Sequence, residues 1–212
     1  MPSKQDTLFK KYIDFELMNG RAPHSVYEFC KSYKLNEGTF YKKFNSLNHL
    51  RKKIISSFAE ETISKLNDDS SYASFTAREK LLAVFYTLFE EFKPQRSYLI
   101  HRYSSVSNAH QLTPDWELFM MQLTDFIDGI IKEAKTNQEI PDRMFIGDYY
   151  AKGYKLVFVY LFRVWIFDES NDFETTDAAI EKTVNLTFQM LGHGTFDSLI
   201  DFGKFAIKTK VV

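Results

Sequence analysis

Asn36, Glu37, Thr39, Tyr41, Lys42 and Lys43 gather amide, acidic, hydroxyl, phenolic and cationic groups within one short run. Side chains of these types are able to read duplex DNA. Thr39 is short enough to approach a thymine methyl or a phosphate, and the Tyr41 hydroxyl can donate to a phosphate oxygen. Lys42 or Lys43 could reach guanine or the backbone, while Glu37 repels phosphate but accepts from cytosine N4. Phe40 and Phe44, interleaved with them, read as core. Upstream, Ser25 and Tyr27 could add phosphate contacts, with helix capping as the main role of Ser25.

Such groups need short, well-terminated helices to aim them. Ser25 with Glu28 has the spacing of a capping box, and Val26, Phe29 and Cys30 follow as an apolar face. Asn36 can cap a second helix carrying Thr39 to Lys43, and Ser46 a third that begins near the basic run Arg51–Lys53. A first helix is expected from about Lys4 to Asn19, its apolar Leu8, Phe9, Tyr12, Ile13 and Leu17 at helical spacing and its end at Gly20. The pattern is that of a helix-turn-helix. Net charge is −1 overall, but residues 1–53 hold 11 Lys/Arg against 5 Asp/Glu, or +6, leaving −7 for the rest. Basic charge therefore collects where phosphate contacts would be made.

The run Asn36-Glu37-Gly38-Thr39-Phe40-Tyr41-Lys42-Lys43-Phe44, then Ser46 and Leu50, resembles the recognition region of the TetR family of bacterial regulators. Phe9, Ile13 and Gly20, with Cys30 at a small-residue position, match the pattern that precedes it. The resemblance covers roughly the first quarter of the chain. It implies an all-α, TetR-like fold: residues 1–50 as a DNA-binding domain, a linking helix over 47–66, and residues 51–212 as a larger ligand-binding and dimerisation domain. It also implies a homodimer built through neighbouring C-terminal helices. Two positions depart from the family's habit. Lys34 stands where a turn glycine is usual, so it must take an unfavourable conformation or the turn must differ. Leu47, followed by Asn48, stands where a lysine commonly meets a phosphate.

The chain has 212 residues, 44% hydrophobic and 26% charged, the composition of an ordinary globular protein. Aromatics reach 17%, enough to line a cavity as well as a core, and 8 Gly with 5 Pro leave regular structure dominant. The single Cys30 forbids an internal disulfide and fits a small core residue in a reducing compartment. The polar, basic start lacks the apolar segment of a secretory signal, and the longest apolar stretch, 156–167, is broken by Arg163 and too short for a bilayer. A cytoplasmic protein is expected.

Nine or so helices are predicted, and no strand. Thr76 with Glu79 forms a capping box for a helix through Phe92. Pro94 starts the next, and Thr113-Pro114 opens another carrying Trp116 to Ile130. Pro141 and Asp142 introduce a further segment, then a long helix occupies 147–167, a polar loop 168–175, and a helix from about Thr176 to Leu191. Gly192 and Gly194 stop it, and Thr195 caps a last helix to about Lys208. The Val157–Tyr160 stretch reads locally as β, but its apolar character continues to Phe167, which favours a buried helix.

For a small ligand, Tyr98, His101, Trp116, Met120, Tyr150, Tyr154 and Phe158 lie on separate helices and could line a pocket for a hydrophobic or amphipathic effector. His101 reads as a partly exposed packing residue rather than a switch. The 5 histidines show no metal-ligand spacing, and no phosphate loop or nucleophile elbow is present, so no enzyme, metal or cofactor is expected. The leading reading is a ligand-responsive, dimeric DNA-binding repressor acting on a pseudo-palindrome. The alternative, motivated by Lys34 and Leu47, is a TetR-like hydrophobic-ligand or lipid-binding protein without operator recognition.

Overall fold

A computed structural model describes residues 4–105, 114–140 and 147–191. The described residues form helices and no strand: α1 Lys4–Asn19, α2 Val26–Ser32, α3 Glu37–Tyr41, α4 Leu47–Asp68, α5 Ala77–Phe92, α6 Arg96–Tyr103, α7 Glu117–Thr136, α8 Gly147–Ile166 and α9 Glu174–Leu191. Short 3-10 turns at Tyr72–Ser74, Lys93–Gln95, Pro114–Trp116 and Asn171–Phe173 join some of them. The expected segment at Pro141–Asp142, the stop at Gly192 and Gly194, and the last helix from Thr195 lie outside the described residues.

Cap chemistry sets most boundaries. Gly20 ends α1 at φ +64°, a conformation open to glycine at little cost. Ser46 Oγ accepts from His49 N–H at 3.0 Å and starts α4. The Thr76–Glu79 capping box is complete, with Thr76 N–H donating to the Glu79 carboxylate at 2.8 Å and Glu79 N–H to Thr76 Oγ1 at 3.3 Å. The two prolines act one step earlier than expected. Pro94 and Pro114 sit in 3-10 turns, and α6 and α7 begin after them at Arg96 and Glu117.

The α1–α3 helices close on a chain of aromatic rings. Tyr12 meets Phe29 at 5.9 Å, Phe29 meets Phe40 at 6.0 Å, and Phe40 meets Phe44 at 5.8 Å. This small core continues without a break along α4 into the larger bundle, so α4 is shared between the two halves. In the bundle, Phe92 is a hub. Its ring lies 5.0–6.5 Å from Phe58, Phe89, Trp116, Phe119, Phe158, Phe162 and Trp165.

A buried ionic cluster ties α1 to this bundle. Glu16 on α1 is fully buried and receives Arg102 Nη1 of α6 at both carboxylate oxygens, at 3.1 and 3.0 Å. Arg102 also reaches Asp115, which accepts from Arg51 Nε of α4 at 3.3 Å and from the Tyr103 hydroxyl at 3.2 Å. Arg51 closes the ring by donating to the Tyr12 hydroxyl of α1 at 3.4 Å. Burial pulls the Arg102 pKa down, but Glu16 together with Tyr103, Tyr98 and Tyr12 outweighs it and the net shift is upward. Burial, then Glu16, raises Tyr12, and burial, then Asp115, raises Tyr103. Both phenols thus stay protonated as donors beside the carboxylates.

A second clamp fixes the turn after α8. Arg96 lies between the rings of Trp165 and Phe173, at 4.7 and 4.8 Å, and donates to the carbonyls of Trp165, Ile166 and Asp168. The guanidinium thereby satisfies the carbonyls that the end of α8 leaves open.

Candidate nucleic-acid interface and effector site

Ser25 caps α2, its Oγ accepting from Glu28 N–H at 3.1 Å. The expected reciprocal half differs. The Glu28 carboxylate accepts from His24 N–H at 2.6 Å and from Arg21 at 2.7 Å. Arg21 first, and the His24 amide second, hold Glu28 down at a pKa of about 2. One helix start and the chain leading into it are thus pinned by the same carboxylate.

The turn that follows is closed by two backbone bonds, Lys34 N–H to the Lys31 carbonyl and Leu35 N–H to the Cys30 carbonyl. Lys34 takes φ +52° to allow this. Of the two outcomes open to a lysine here, the chain keeps the turn and accepts the left-handed conformation. Cys30 is buried behind the turn, and burial raises its thiol pKa, in line with a packing role.

From Asn36 the chain enters α3. The Asn36 backbone has cap geometry, but its side chain makes no cap hydrogen bond. Its Oδ1 instead crosses over Gly38, where an added Cβ would meet it at 2.9 Å. The helix is only a turn and a half: Lys42 is its C-cap and Lys43 lies just beyond, so these two lysines flank α3 rather than ride on it. Phe40 and Phe44 are buried against Phe29 and Phe9. That anchors α3 and leaves Asn36, Thr39 and Lys42 exposed, Tyr41 51% exposed, and Glu37 and Lys43 half-buried at the edge.

The basic charge of this region divides sharply. Arg51 turns inward to Asp115 and Tyr12, Lys52 pairs with Glu117 at 2.9 Å, and Lys53 approaches Glu60 at 3.9 Å. Those cations, read from sequence as part of the basic face, are engaged by the chain itself. Lys31 lies over the Tyr27 ring at 5.5 Å, and Lys11 over Tyr33 at 5.6 Å. Among the described residues, Lys34, Lys42 and Lys43 have no carboxylate partner. Lys10 on α1 lacks one as well, and the other three uncompensated lysines of this region bracket α3. Leu47, at the start of α4, packs half-buried against the core and carries no charge.

The expected effector residues separate into distinct surroundings. Trp116 and Phe158 touch, with ring centroids 5.3 Å apart, inside the hub around Phe92. Tyr154 is buried on the same helix as Phe158, Met120 is half-buried on α7, and His101 is exposed. The side chain of Tyr150 lies outside the described residues. Tyr98, fully buried, instead walls a cavity of about 780 Å³ between α1, α4 and α6, with Phe9, Ile13, Leu17, Ile54 and Phe58. Trp116 Nε1 and the Tyr98 hydroxyl are buried donors without hydrogen-bond partners. Sequence reading missed Glu16, Arg102 and Asp115 and placed Arg51 on the surface, because no local motif links the four.

A family model described as the tetracyclin repressor-like C-terminal domain matches residues 80–206, more than half of the chain. The chain belongs to the TetR family. The match takes in α5 to α9, so TetR membership is established by the helical bundle, while α3 and its lysines stand on their own geometry. A search among curated proteins finds no match. As a TetR-type regulator, the chain has its all-helical build accounted for, and no helix among the described residues is long and apolar enough to cross a membrane.

Proposed function

We propose that the protein is a dimeric, ligand-responsive transcriptional repressor of the bacterial cytoplasm, binding a pseudo-palindromic operator through α3. The observation that carries this is the anchoring of α3 by Phe40 while Asn36, Thr39, Tyr41 and Lys42 stay exposed. Thr39 and Tyr41 supply contacts to bases or phosphates, Lys42 and Lys43 neutralise phosphates, and Glu37 sets base preference. Ser25, occupied as a cap, contributes through the position of α2.

The outward face of α8 and α9 supports the dimer. Leu156, Tyr160 and Phe167 follow helical spacing along α8 and just past it, and each is more than half exposed, as is Leu186 on α9. A stripe of large apolar side chains along α8, with another exposed on α9, suits a two-fold interface. An effector entering beside Tyr98 or Trp116 would find a buried donor waiting for an acceptor, which suits an amphipathic molecule carrying a carbonyl or ether oxygen. Because α1 is bound to α6 through Glu16 and Arg102, displacement of α6 would carry α1 with it and change the spacing of the two α3 helices.

The test is duplex affinity measured against salt. The expected result is preference for the DNA upstream of its own gene over random duplex, with a steep loss of affinity as salt rises. Equal affinity for both, or none for either, rejects operator recognition and favours the hydrophobic-ligand-binding alternative. Leu156→Glu is expected to yield monomers in sedimentation and to lose the cooperative step in DNA binding.

A further inference from the structure

Lys34 holds a backbone position that disfavours lysine. At φ +52° its Cβ crowds the neighbouring carbonyl, and glycine is the ordinary occupant. The chain cannot relax out of that region. The Leu35 N–H bond to Cys30 O, 2.8 Å, and the Lys34 N–H bond to Lys31 O, 3.3 Å, form a Schellman closure, whose left-handed residue is the one glycine usually fills. The chain does use glycine after α1, where Gly20 sits at φ +64°. After α2 it keeps a long cation instead.

The side chain returns nothing visible to the fold. It is exposed, and no carboxylate or ring engages it, whereas Lys31 and Lys11 lie over tyrosines and Arg21 binds Glu28. Leu35, the next residue, packs against the core and fixes where the turn stands. Lys34 is therefore an uncompensated charge on a rigid mount, three residues ahead of α3. We propose that Lys34 is a DNA-anchoring residue whose ammonium contacts a backbone phosphate beside the groove that α3 enters. The inference rests on the DNA-binding reading above. It reverses the reading in which Lys34 counts against operator recognition.

Gln138 provides an internal control. It takes φ +61° in an equivalent closure after α7, with Glu139 N–H to Ala134 O at 2.9 Å and Gln138 N–H to Lys135 O at 3.1 Å, and it is remote from α3. Wild type, Lys34→Gly, Lys34→Arg and Gln138→Gly are compared by thermal melting and by fluorescence anisotropy on a labelled random-sequence duplex over a salt series. Both glycine variants should melt about 2–4 °C higher, through relief of the left-handed side chain. Only Lys34→Gly should flatten the slope of log affinity against log salt, by about 0.9 per bound protomer, and Lys34→Arg should keep the wild-type slope. A wild-type slope in Lys34→Gly overturns the inference while leaving DNA binding intact. A wild type with no salt-sensitive affinity sinks the DNA-binding reading, and this inference with it.

Discussion

The two ends of the molecule use aromatic residues in opposite ways. Around α3 the rings form a short branched chain, Tyr12 to Phe29 to Phe40 to Phe44, with Tyr33 and Phe9 on its sides and Tyr41 half exposed at its edge. In the bundle they converge on Phe92, which touches rings from α4, α5, α7 and α8. A short chain of rings has few alternative contacts when an inner member is lost, and a hub resists loss everywhere except at its centre. The N-terminal helices are therefore the part whose position is set by few contacts. That suits the change of orientation proposed above for effector binding.

Two substitutions would separate these designs. Phe92→Ala is expected to cost about 3–5 kcal/mol and to lower the melting of the entire chain, since the cavity opens among four helices. Phe40→Ala, of the same chemistry, is expected to release amide protection in α1–α3 while α5–α9 keep theirs. Hydrogen exchange followed by mass spectrometry reads both. Equal loss of protection throughout the protein in the two variants would show that the ring chain and the hub form one cooperative unit.

The ionic cluster is the next largest effect. Glu16→Ala leaves Arg102 and Arg51 sharing one buried carboxylate, Asp115, and should destabilise by about 3 kcal/mol, because the excess positive charge stays largely out of water. Replacing both members, Glu16→Met with Arg102→Met, should recover most of that stability in denaturant melts. Effector release of DNA should nonetheless weaken in the double variant, because the link between α1 and α6 is then apolar and tolerates sliding.

Much of this layout could be read from the chain, and the illegible part has a common cause. Gly20, Ser46 and the Thr76–Glu79 pair announce helix ends because capping is local chemistry among residues at most a few positions apart. Phe40 and Phe44 read as core beside exposed Thr39 and Tyr41 because a short helix must bury one face. Glu16 and Arg102 are 86 positions apart, and nothing near either residue names its partner. Arg51 looked like part of a basic surface because charge alone does not reveal that it faces Asp115. Trp116 and Tyr98 were placed in one pocket, yet one joins the hub and the other walls the cleft beside α1, since periodicity gives a face but not its neighbour.

A smaller effect probes the joint shared by the two regions. Ser46→Ala removes the acceptor for His49 N–H and should cost about 1 kcal/mol, the ordinary value of an N-cap. Because α4 runs from the α3 side into the bundle, fraying of its first turn should loosen Leu47 and Leu50 beneath α3 before the bundle responds. Loss of exchange protection confined to residues 46–50 and α3 would match that order, and uniform loss along α4 would contradict it.

The smallest effect compares two carboxylates that reach the same acidity by different means. Glu28 lies near α3 and is held at about 2 by Arg21, then by the His24 amide, in an exposed ion pair. At Asp168, after α8, burial works to raise the pKa, but the hydroxyls and N–H groups of Ser170 and Thr176 outweigh it and also bring it to about 2. Both values are depressed in the folded state. Each group therefore contributes stability above the ordinary carboxylate range, and that contribution is lost as pH falls from about 4 toward about 2. Salt distinguishes them, since it screens an exposed charge pair but not bonds from neutral hydroxyls. Carboxyl carbon titrations by NMR at low and molar salt should show the Glu28 pKa moving upward and Asp168 holding still. Parallel movement of both would mean that the α8–α9 turn opens to solvent as freely as the helices that carry α3.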